Sequence, residues 1–404
     1  MAGMERDVLI VGGGLAGPLM GLALARAGLR SVVLDAGPRP TAGPFDGRAY
    51  ALTLASVRML RALGVWDAVA EPQPIVGIRA SDGRAGEGAS RLHVAFDAHD
   101  VGEPYMGQMV EDRHLRAAIH EACEAEPGVE MRFDAPVEAQ AVEGARVRVR
   151  LADGTEEAAL LVGCDGRAGG VADRAGLRRT VKDYRQAALT CAVAHERPHG
   201  GVAHQLFLPA GPLAVLPLAG DRSSLVWTEG RDVAEGLAAL DDAAYLDLLR
   251  PRFGSFLGDI ALVGARGWHP LTLTRAPRTG DRVALAGDAA QGIHPIAGQG
   301  LNLGMKDVAA LAEVLSDARR RGEDVGAAPV LARYARWRGF DAAQMGLATD
   351  ALNALFSNDD PLLRAARRLG LGAVNAMPGL KRRLAREAMG VTGDLPRLMR
   401  GLPL

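Results

Sequence analysis

Gly12, Gly14 and Gly17 stand at G-x-G-x-x-G spacing directly behind the short apolar run Asp7 to Val11. At that spacing the first glycine permits a tight turn, and the second lets backbone approach a ligand. The third lets a helix pack closely on a strand. Leu15 and Ala16 open a segment, to Ala27, that suits a helix. A helix start offers free N–H groups and a partial positive charge to a phosphate. Ser31 to Leu34 reads as a second strand, and Asp35 follows it, 21 residues after Gly14. Its carboxylate is placed to accept from a ribose hydroxyl. Together these residues form a βαβ fingerprint for a dinucleotide, and the fingerprint alone does not choose between NAD and FAD.

A second set of such residues lies far downstream. Leu160 to Gly163 is a strand that runs into Cys164-Asp165-Gly166. Another strand, from Asp281, ends at Gly287-Asp288, and His294-Pro295 follows. Gly298, Gly300, Leu301 and Asn302 precede or open a long helix to about Arg321. That is a second helix start able to receive an anion, and a ligand with two phosphates and a second recognition end explains both economically. Arg48 stands just beyond the second strand. It either reaches a pyrophosphate or is a solvated surface arginine.

The elements that must hold these residues can be read from pattern. Leu54 to Leu63 and Gln108 to Glu126 have helical periodicity. Ile75 to Arg84 and Ser90 to Asp97 read as a hairpin set into the α/β pattern. Val129 to Phe133, Val137 to Val142, Arg146 to Leu151 and Glu157 to Gly163 read as strands. From Tyr184 to Trp268 strands dominate, interrupted by one helix, Asp241 to Phe253. With the hairpin they make a largely antiparallel second domain. Leu331 to Phe356 is expected to be helical. The tail then carries Arg364, Arg367, Arg368, Lys381, Arg382, Arg383 and Arg386 among leucines, opposed by one acid, Glu387. Such a pair of basic amphipathic helices suits an anionic lipid surface, or an outer helix packed on the core by its leucines.

Competing readings of the first stretch are weak. Val8 to Ala25 is 18 residues without a charge, near the length of a membrane span or a signal peptide. Five of the 18 are glycines, three of them (Gly12, Gly14 and Gly17) at fingerprint spacing, and cleavage after Ala25 would remove the first strand of a complete βαβ unit. Net charge is −1 and aromatics are 4%, so neither a global field nor a stacking surface attracts nucleic acid. Cys123, Cys164 and Cys191 fit neither a disulfide framework nor a zinc site. They suggest a reducing compartment. No metal site is expected.

Taken in order, Gly12-x-Gly14-x-x-Gly17, Cys164-Asp165-Gly166 and Gly287-Asp288 ahead of Pro295-Ile-Ala-Gly-Gln-Gly-Leu-Asn302 resemble the FAD-dependent aromatic hydroxylases. These are the single-component flavoprotein monooxygenases similar to p-hydroxybenzoate hydroxylase. Within them the chain looks most like the ubiquinone-biosynthesis hydroxylases, the UbiH/UbiF/UbiI group. His294 to Gly304, Thr349 to Asn358 and Met377-Pro-Gly-Leu-Lys381 carry that closer likeness. The resemblance spans essentially the whole chain.

It implies an α/β chain with an α+β insert. A Rossmann-like FAD-binding domain (1–72, 98–183 and 270–340) would interleave with a mostly antiparallel substrate domain (73–97 and 184–269), followed by a helical C-terminus (341–404). It implies that Gly12, Gly14, Leu15, Ala16 and Gly17 hold the FAD pyrophosphate, and that Asp35, where the family more often has Glu, holds the adenosine ribose. Arg48 and Arg113 match contacts to the phosphates or ribityl chain, and Val137 a backbone contact to adenine. Asp165 would lie near the pyrophosphate and Asp288 on the ribityl chain. Gly300, Leu301 and Asn302 would bring backbone N–H groups to the flavin ring. Gln291 stands where the family often has His, and Arg167 where a small residue is usual. The implied reaction is hydroxylation of a polyprenylated phenol by O2 through a flavin hydroperoxide. NAD(P)H or a partner reductase would supply electrons. His294 is the nearest base by sequence, and Pro295 would shape the pocket. Location would be cytoplasmic, with peripheral contact to the inner face of the membrane and membership of a biosynthetic complex as further expectations. A prenyl-lipid reductase of the same fold, or a non-catalytic lipid-binding subunit, are the rival readings.

Overall fold

A computed structural model describes residues 6–41, 43–86, 88–292, 299–339 and 370–404. The chain begins with β1 (Val8–Val11), α1 (Ala16–Arg26) and β2 (Ser31–Leu34). β3 (Ala49–Thr53) leads into α2 (Leu54–Ala62), and β4 (Gln73–Ile75) precedes the hairpin β5 (Gly77–Arg84) and β6 (Gly88–Asp97). β7 (Gly107–Glu111), α3 (Asp112–Glu124) and β8 (Val129–Arg132) follow. Next come β9 (Ala139–Glu143), β10 (Arg146–Leu151), β11 (Gly154–Ala158), β12 (Leu160–Gly163) and the one-turn α4 (Val171–Arg174). The long strands begin with β13 (Thr180–His195), then β14 (Val202–Leu208), β15 (Gly211–Leu218) and β16 (Arg222–Gly230). Helices α5 (Arg231–Ala238) and α6 (Asp242–Phe253) precede β17 (Ile260–Arg275). β18 (Thr279–Gly280), β19 (Val283–Leu285) and β20 (Gln291–Gly292) lead to α7 (Gln299–Arg320). Helices α8 (328–339) and α9 (370–375) and then α10 (Pro378–Ala388) complete the set.

Two sheets organise the molecule. The first has the order β18-β19-β12-β1-β2-β8 and is parallel from β19 to β8. Every residue of β1 and β2 is buried, as both faces of a parallel sheet are covered. Helix α1 is buried from Gly17 to Leu24. Its uncharged run therefore belongs to the core, where it packs against α7. Among the described residues no helix is long and apolar enough to cross a membrane.

The second sheet has the order β20-β17-β13-β16-β15-β14-β5-β6, antiparallel except for the β14–β5 pair. The hairpin β5–β6 joins it, as its pattern suggested. One face buries Leu189, Cys191, Val193, Leu213, Val215, Leu225 and Trp227 beneath Tyr245, Leu249 and Phe253 of α6. The other face is built of small residues, Ala188, Ala192, Ala203 and Ala214. It meets Ile75 and Met109 of a three-stranded sheet, β3-β7-β4, that lies between the two large ones. The whole is a mixed α/β fold, a Rossmann-like half interleaved with an antiparallel sheet and followed by helices.

Some elements differ from expectation. Gln108 to Glu111 were expected to open a helix, yet β7 occupies Gly107–Glu111, fully buried and paired on both sides. Its polar residues are tolerable there because Glu111 is ion-paired with Arg113 (2.7 Å) and Arg222 (3.1 Å). Strand Glu157 to Gly163 divides into β11 and β12. Helix α5 was not anticipated. Val137 lies in the loop before β9 and not in a strand. His294, Pro295, the Thr349 to Asn358 run, and Arg364, Arg367 and Arg368 lie outside the described residues, as does the remainder of the helix expected to reach Phe356.

Candidate functional site

The carboxyl ends of β1, β2, β12 and β19 converge, and there the fold places Gly12, Asp35, Asp165 and Asp288. Such an edge is where open α/β sheets bind ligands. Gly12 has φ +111°, and a Cβ on it would overlap the Cys164 carbonyl. A Cβ on Gly17 would overlap the Gly12 carbonyl. Only glycine satisfies both positions. Around Gly14, by contrast, the space where a side chain would stand is open. Helix α1 has no acidic residue in its first turn, and no side chain caps it. Its N–H groups at Leu15, Ala16 and Gly17 are left for an anion.

Asp35 closes one side of this turn. Its carboxylate accepts from the Gly13 and Gly37 N–H groups, and carboxylate oxygens retain lone pairs for a hydroxyl donor. The 134–137 loop lies against the same end, through Ala135 N–H to the Asp35 carbonyl at 2.8 Å. Val137 is half-buried there. Beside Asp35 opens a cavity of about 360 Å³ lined by Arg39, Arg48, Asp112, Arg113, Arg116 and His120, among others. Arg48 is ion-paired with Asp46 (2.7 Å) and Asp112 (3.5 Å), and Arg113 with Glu111. Sequence reasoning missed His120 and Arg116, whose only signal was helical spacing behind Arg113. Burial and the Arg116 charge lower the His120 pKa.

Asp165 follows β12. One oxygen accepts the Val171 N–H at 2.9 Å, while Oδ1 is buried with no hydrogen-bond partner among the described residues. Burial raises its pKa against that N–H. Asp288 follows β19 and is ion-paired with Arg167 at 3.0 Å. The role of Arg167, open in the sequence, thus begins with Asp288.

The Gly287–Asp288 turn rests on a buried polar core. Gly287 has φ +65°, and its N–H donates to Asp307 Oδ2 at 3.2 Å. Asp307 is ion-paired with Arg278 and Arg338, each at 2.8 Å. Tyr334 donates to the Leu285 carbonyl at 2.8 Å, and Arg278 to Gln291 Oε1 at 3.3 Å. Nothing in the linear motifs disclosed this cluster. Asn302, in the first turns of α7, accepts from Thr53 N–H (2.9 Å) and Ser56 Oγ (2.7 Å) and donates to the Ala51 carbonyl (2.7 Å). Its side chain fixes the helix start and leaves backbone groups for a ligand. Among the described residues nothing lies within 4 Å of where a Cβ on Gly300 would stand, and Leu301 is half-buried beside it. No side-chain cluster suited to a metal ion occurs among the described residues.

These observations fit a dinucleotide cofactor. Two helix starts, an open turn at Gly14, a cationic cavity and an unpartnered buried carboxylate oxygen lie along one edge. Residues 5–337 match the family described as FAD binding domain. The chain belongs to that family. It is 46% identical, over 98% of its length and 93% of the relative's, to the ubiquinone hydroxylase UbiL of Rhodospirillum rubrum. It is 36% identical to the 3-demethoxyubiquinol 3-hydroxylase of Escherichia coli, over 97% of this chain and 100% of that one. The fold resembles the crystal structure of p-nitrophenol 4-monooxygenase PnpA from Pseudomonas putida. That match has a TM-score of 0.79 and 21% identity, and covers 95% of this chain and 98% of the other.

Proposed function

We propose that this protein is an FAD-dependent monooxygenase that hydroxylates the aromatic ring of a polyprenylated phenol in ubiquinone biosynthesis. The observation that carries the reading is the ligand-ready edge of the parallel sheet: the glycine turn at Gly12 and Gly17, the uncapped start of α1 and the buried Asp165 Oδ1, without a hydrogen-bond partner among the described residues. The similarity to ubiquinone hydroxylases along the whole chain supports the substrate class.

In this reading the N–H groups of Leu15, Ala16 and Gly17 bind the pyrophosphate, with Arg48 and Arg113 balancing its charge. Asp35 holds the adenosine ribose, and the backbone at Val137 meets the adenine. Asp165 lies near the pyrophosphate, and Asp288 accepts from the ribityl hydroxyls. Amides of Gly300, Leu301 and Asn302 face the flavin ring and stabilise negative charge there. The chemistry FAD supplies when bound is two-electron activation of O2, one atom going to the ring and the other to water, with NAD(P)H or a partner reductase as electron source.

A prenyl tail contributes about 0.8 kcal/mol per CH2 wherever it is kept from water. Much of a long tail would stay in a bilayer, which gives α10 a role at a membrane surface. Arg382, Arg383 and Arg386 of α10 are exposed, as are Met377, Leu380 and Leu384, while Lys381 is ion-paired with Asp100 at 2.8 Å. Cytoplasmic location, peripheral contact with the inner membrane face and membership of a biosynthetic complex belong to the same proposal.

The test is the absorption spectrum of the purified protein with mass analysis of the released cofactor. A flavin spectrum and an FAD mass support the reading, and Asp288→Ala should reduce FAD content. A colourless protein that takes up no added FAD would sink it.

A further inference from the structure

We propose that His269 is the general base of the reaction, taking the phenolic proton of the substrate ring. The inference rests on the hydroxylase reading above and supplies the residue that His294 was expected to provide.

Placement comes first. His269 lies on β17 opposite Ala188 of β13, which in turn is opposite Thr228 of β16. Paired residues in an antiparallel sheet share a face. Ala188 alternates with Leu189 and Cys191, which are under α6, so His269 is on the face turned toward the cofactor edge. Of the other histidines in this sheet, His195 and His204 fall on the α6 side, with Val193 and Leu206.

Its surroundings leave the ring accessible. Ala188 opposite it is small, and His269 is itself exposed. Gly267, its same-face neighbour two residues back, has no side chain; a Cβ there would lie 3.0 Å from His269 Nε2 and would overlap Thr190 Oγ1. Nε2 and the Thr190 hydroxyl therefore both come close over the Gly267 backbone, an approach that only glycine allows. Pro270 follows and restricts His269 to extended backbone.

The charges nearby suit a base. Arg167, which is ion-paired with Asp288, and Arg48, which is ion-paired with Asp46 and Asp112, lie near enough for their charges to act on the imidazole. Although the residue is exposed overall, partial desolvation of its ring and then these two cations lower its pKa from the ordinary 6.5. A lowered pKa favours the neutral imidazole, the form that accepts a proton. The same cations would stabilise the phenolate formed beside it. Arg167 also pairs with Asp288 on the turn that would carry the cofactor.

The proton count closes. The phenol O–H proton passes to His269 as the ring carbon bonds to the transferred oxygen atom. The hydrogen on that carbon leaves as a proton when the ring rearomatises, and is taken up by the second oxygen atom on its way to water. The imidazolium then returns its proton to the original oxygen, and the base is regenerated. Electrons and oxygen are those of the proposed reaction.

The experiment compares the parent protein with His269→Gln and His269→Asn, using a short-chain prenylated phenol. Three quantities are read: bound FAD, phenolate absorbance on mixing with oxidised protein, and kcat/KM against pH. We expect FAD content unchanged and the phenolate band lost. Turnover near neutral pH should fall on the order of 10²-fold or more, the usual worth of a general base. The fall of kcat/KM at acid pH should vanish, and activity should recover toward pH ~10, where a phenol ionises unaided. Turnover within about 3-fold of the parent, with the same acid limb, would overturn the proposal. Loss of FAD from both variants would also overturn it, assigning His269 to cofactor binding. If the parent neither binds FAD nor hydroxylates any phenol, the underlying hydroxylase reading has failed, and this is evident before any variant is made.

Discussion

Asp307 is expected to be the most stability-critical charged residue behind the cofactor turn. It is 1% exposed and lies between Arg278 (8% exposed) and Arg338 (0% exposed), both at 2.8 Å. It also accepts the Gly287 N–H. Asp307→Asn keeps the volume and removes the charge that balances two buried guanidinium groups. Removing one partner of a buried ion pair costs about 3–5 kcal/mol, because the other charge is left uncompensated. A typical domain has a net stability of about 5–15 kcal/mol, so the loss is large. Arg278→Met should cost less, since Asp307 and Arg338 remain a neutral pair. The assay is denaturant unfolding of the FAD-free proteins, which removes the contribution of bound cofactor. FAD affinity, measured separately, should fall at least about tenfold in Asp307→Asn, equal to about 1.4 kcal/mol, as the Gly287–Asp288 turn loses its anchor. A destabilisation under about 1 kcal/mol, or a larger effect from Arg278→Met, would refute the reasoning, since either contradicts the cost of an uncompensated buried charge.

Other expectations are more local. Gly12→Ala should abolish FAD loading, because φ +111° is strained for alanine and the Cβ overlaps the Cys164 carbonyl; cofactor content after purification checks it. His204 is held neutral, its pKa pushed down to about 4 first by burial and then by Arg79 and His93. A depressed folded-state pKa means this contribution is intact above pH ~6.5 and is lost as pH falls toward ~4, about 3 kcal/mol in all. Unfolding midpoints of His204→Phe across that window should show a weaker acid dependence than the parent. Replacing Arg382, Arg383 and Arg386 together by Gln should weaken binding to anionic vesicles by roughly 3 kcal/mol at about 1 kcal/mol per charge. Cosedimentation should show the difference shrinking as salt rises.

Legibility in the sequence followed the range of the interactions. The turn at Gly12 and Gly17 was readable because the glycine spacing itself records its constraints: a positive φ at Gly12 and two close backbone approaches, one to the Gly12 carbonyl and one across the sheet to Cys164. Asp35, Asp165 and Asp288 were readable because each ends a buried strand. Strand β7 was not. Its Gln108 and Glu111 look like a helix start, and Arg222, 111 residues on, joins Arg113 in pairing the buried Glu111. The cluster of Arg278, Asp307 and Arg338 is spread over 61 residues and has no motif. His269 is a lone histidine until the β13–β17 register and two distant arginines surround it. His120 became visible only when α3 was set against the glycine turn.

The most direct test of the central claim is turnover of a prenylated phenol under isotopically heavy O2, with mass analysis of the product. The account expects one heavy oxygen atom in the ring of the product, formed only by FAD-loaded protein. An unlabelled product, or a reduced prenyl chain with no oxygen added, would contradict it and point to a different flavin reaction on the same fold.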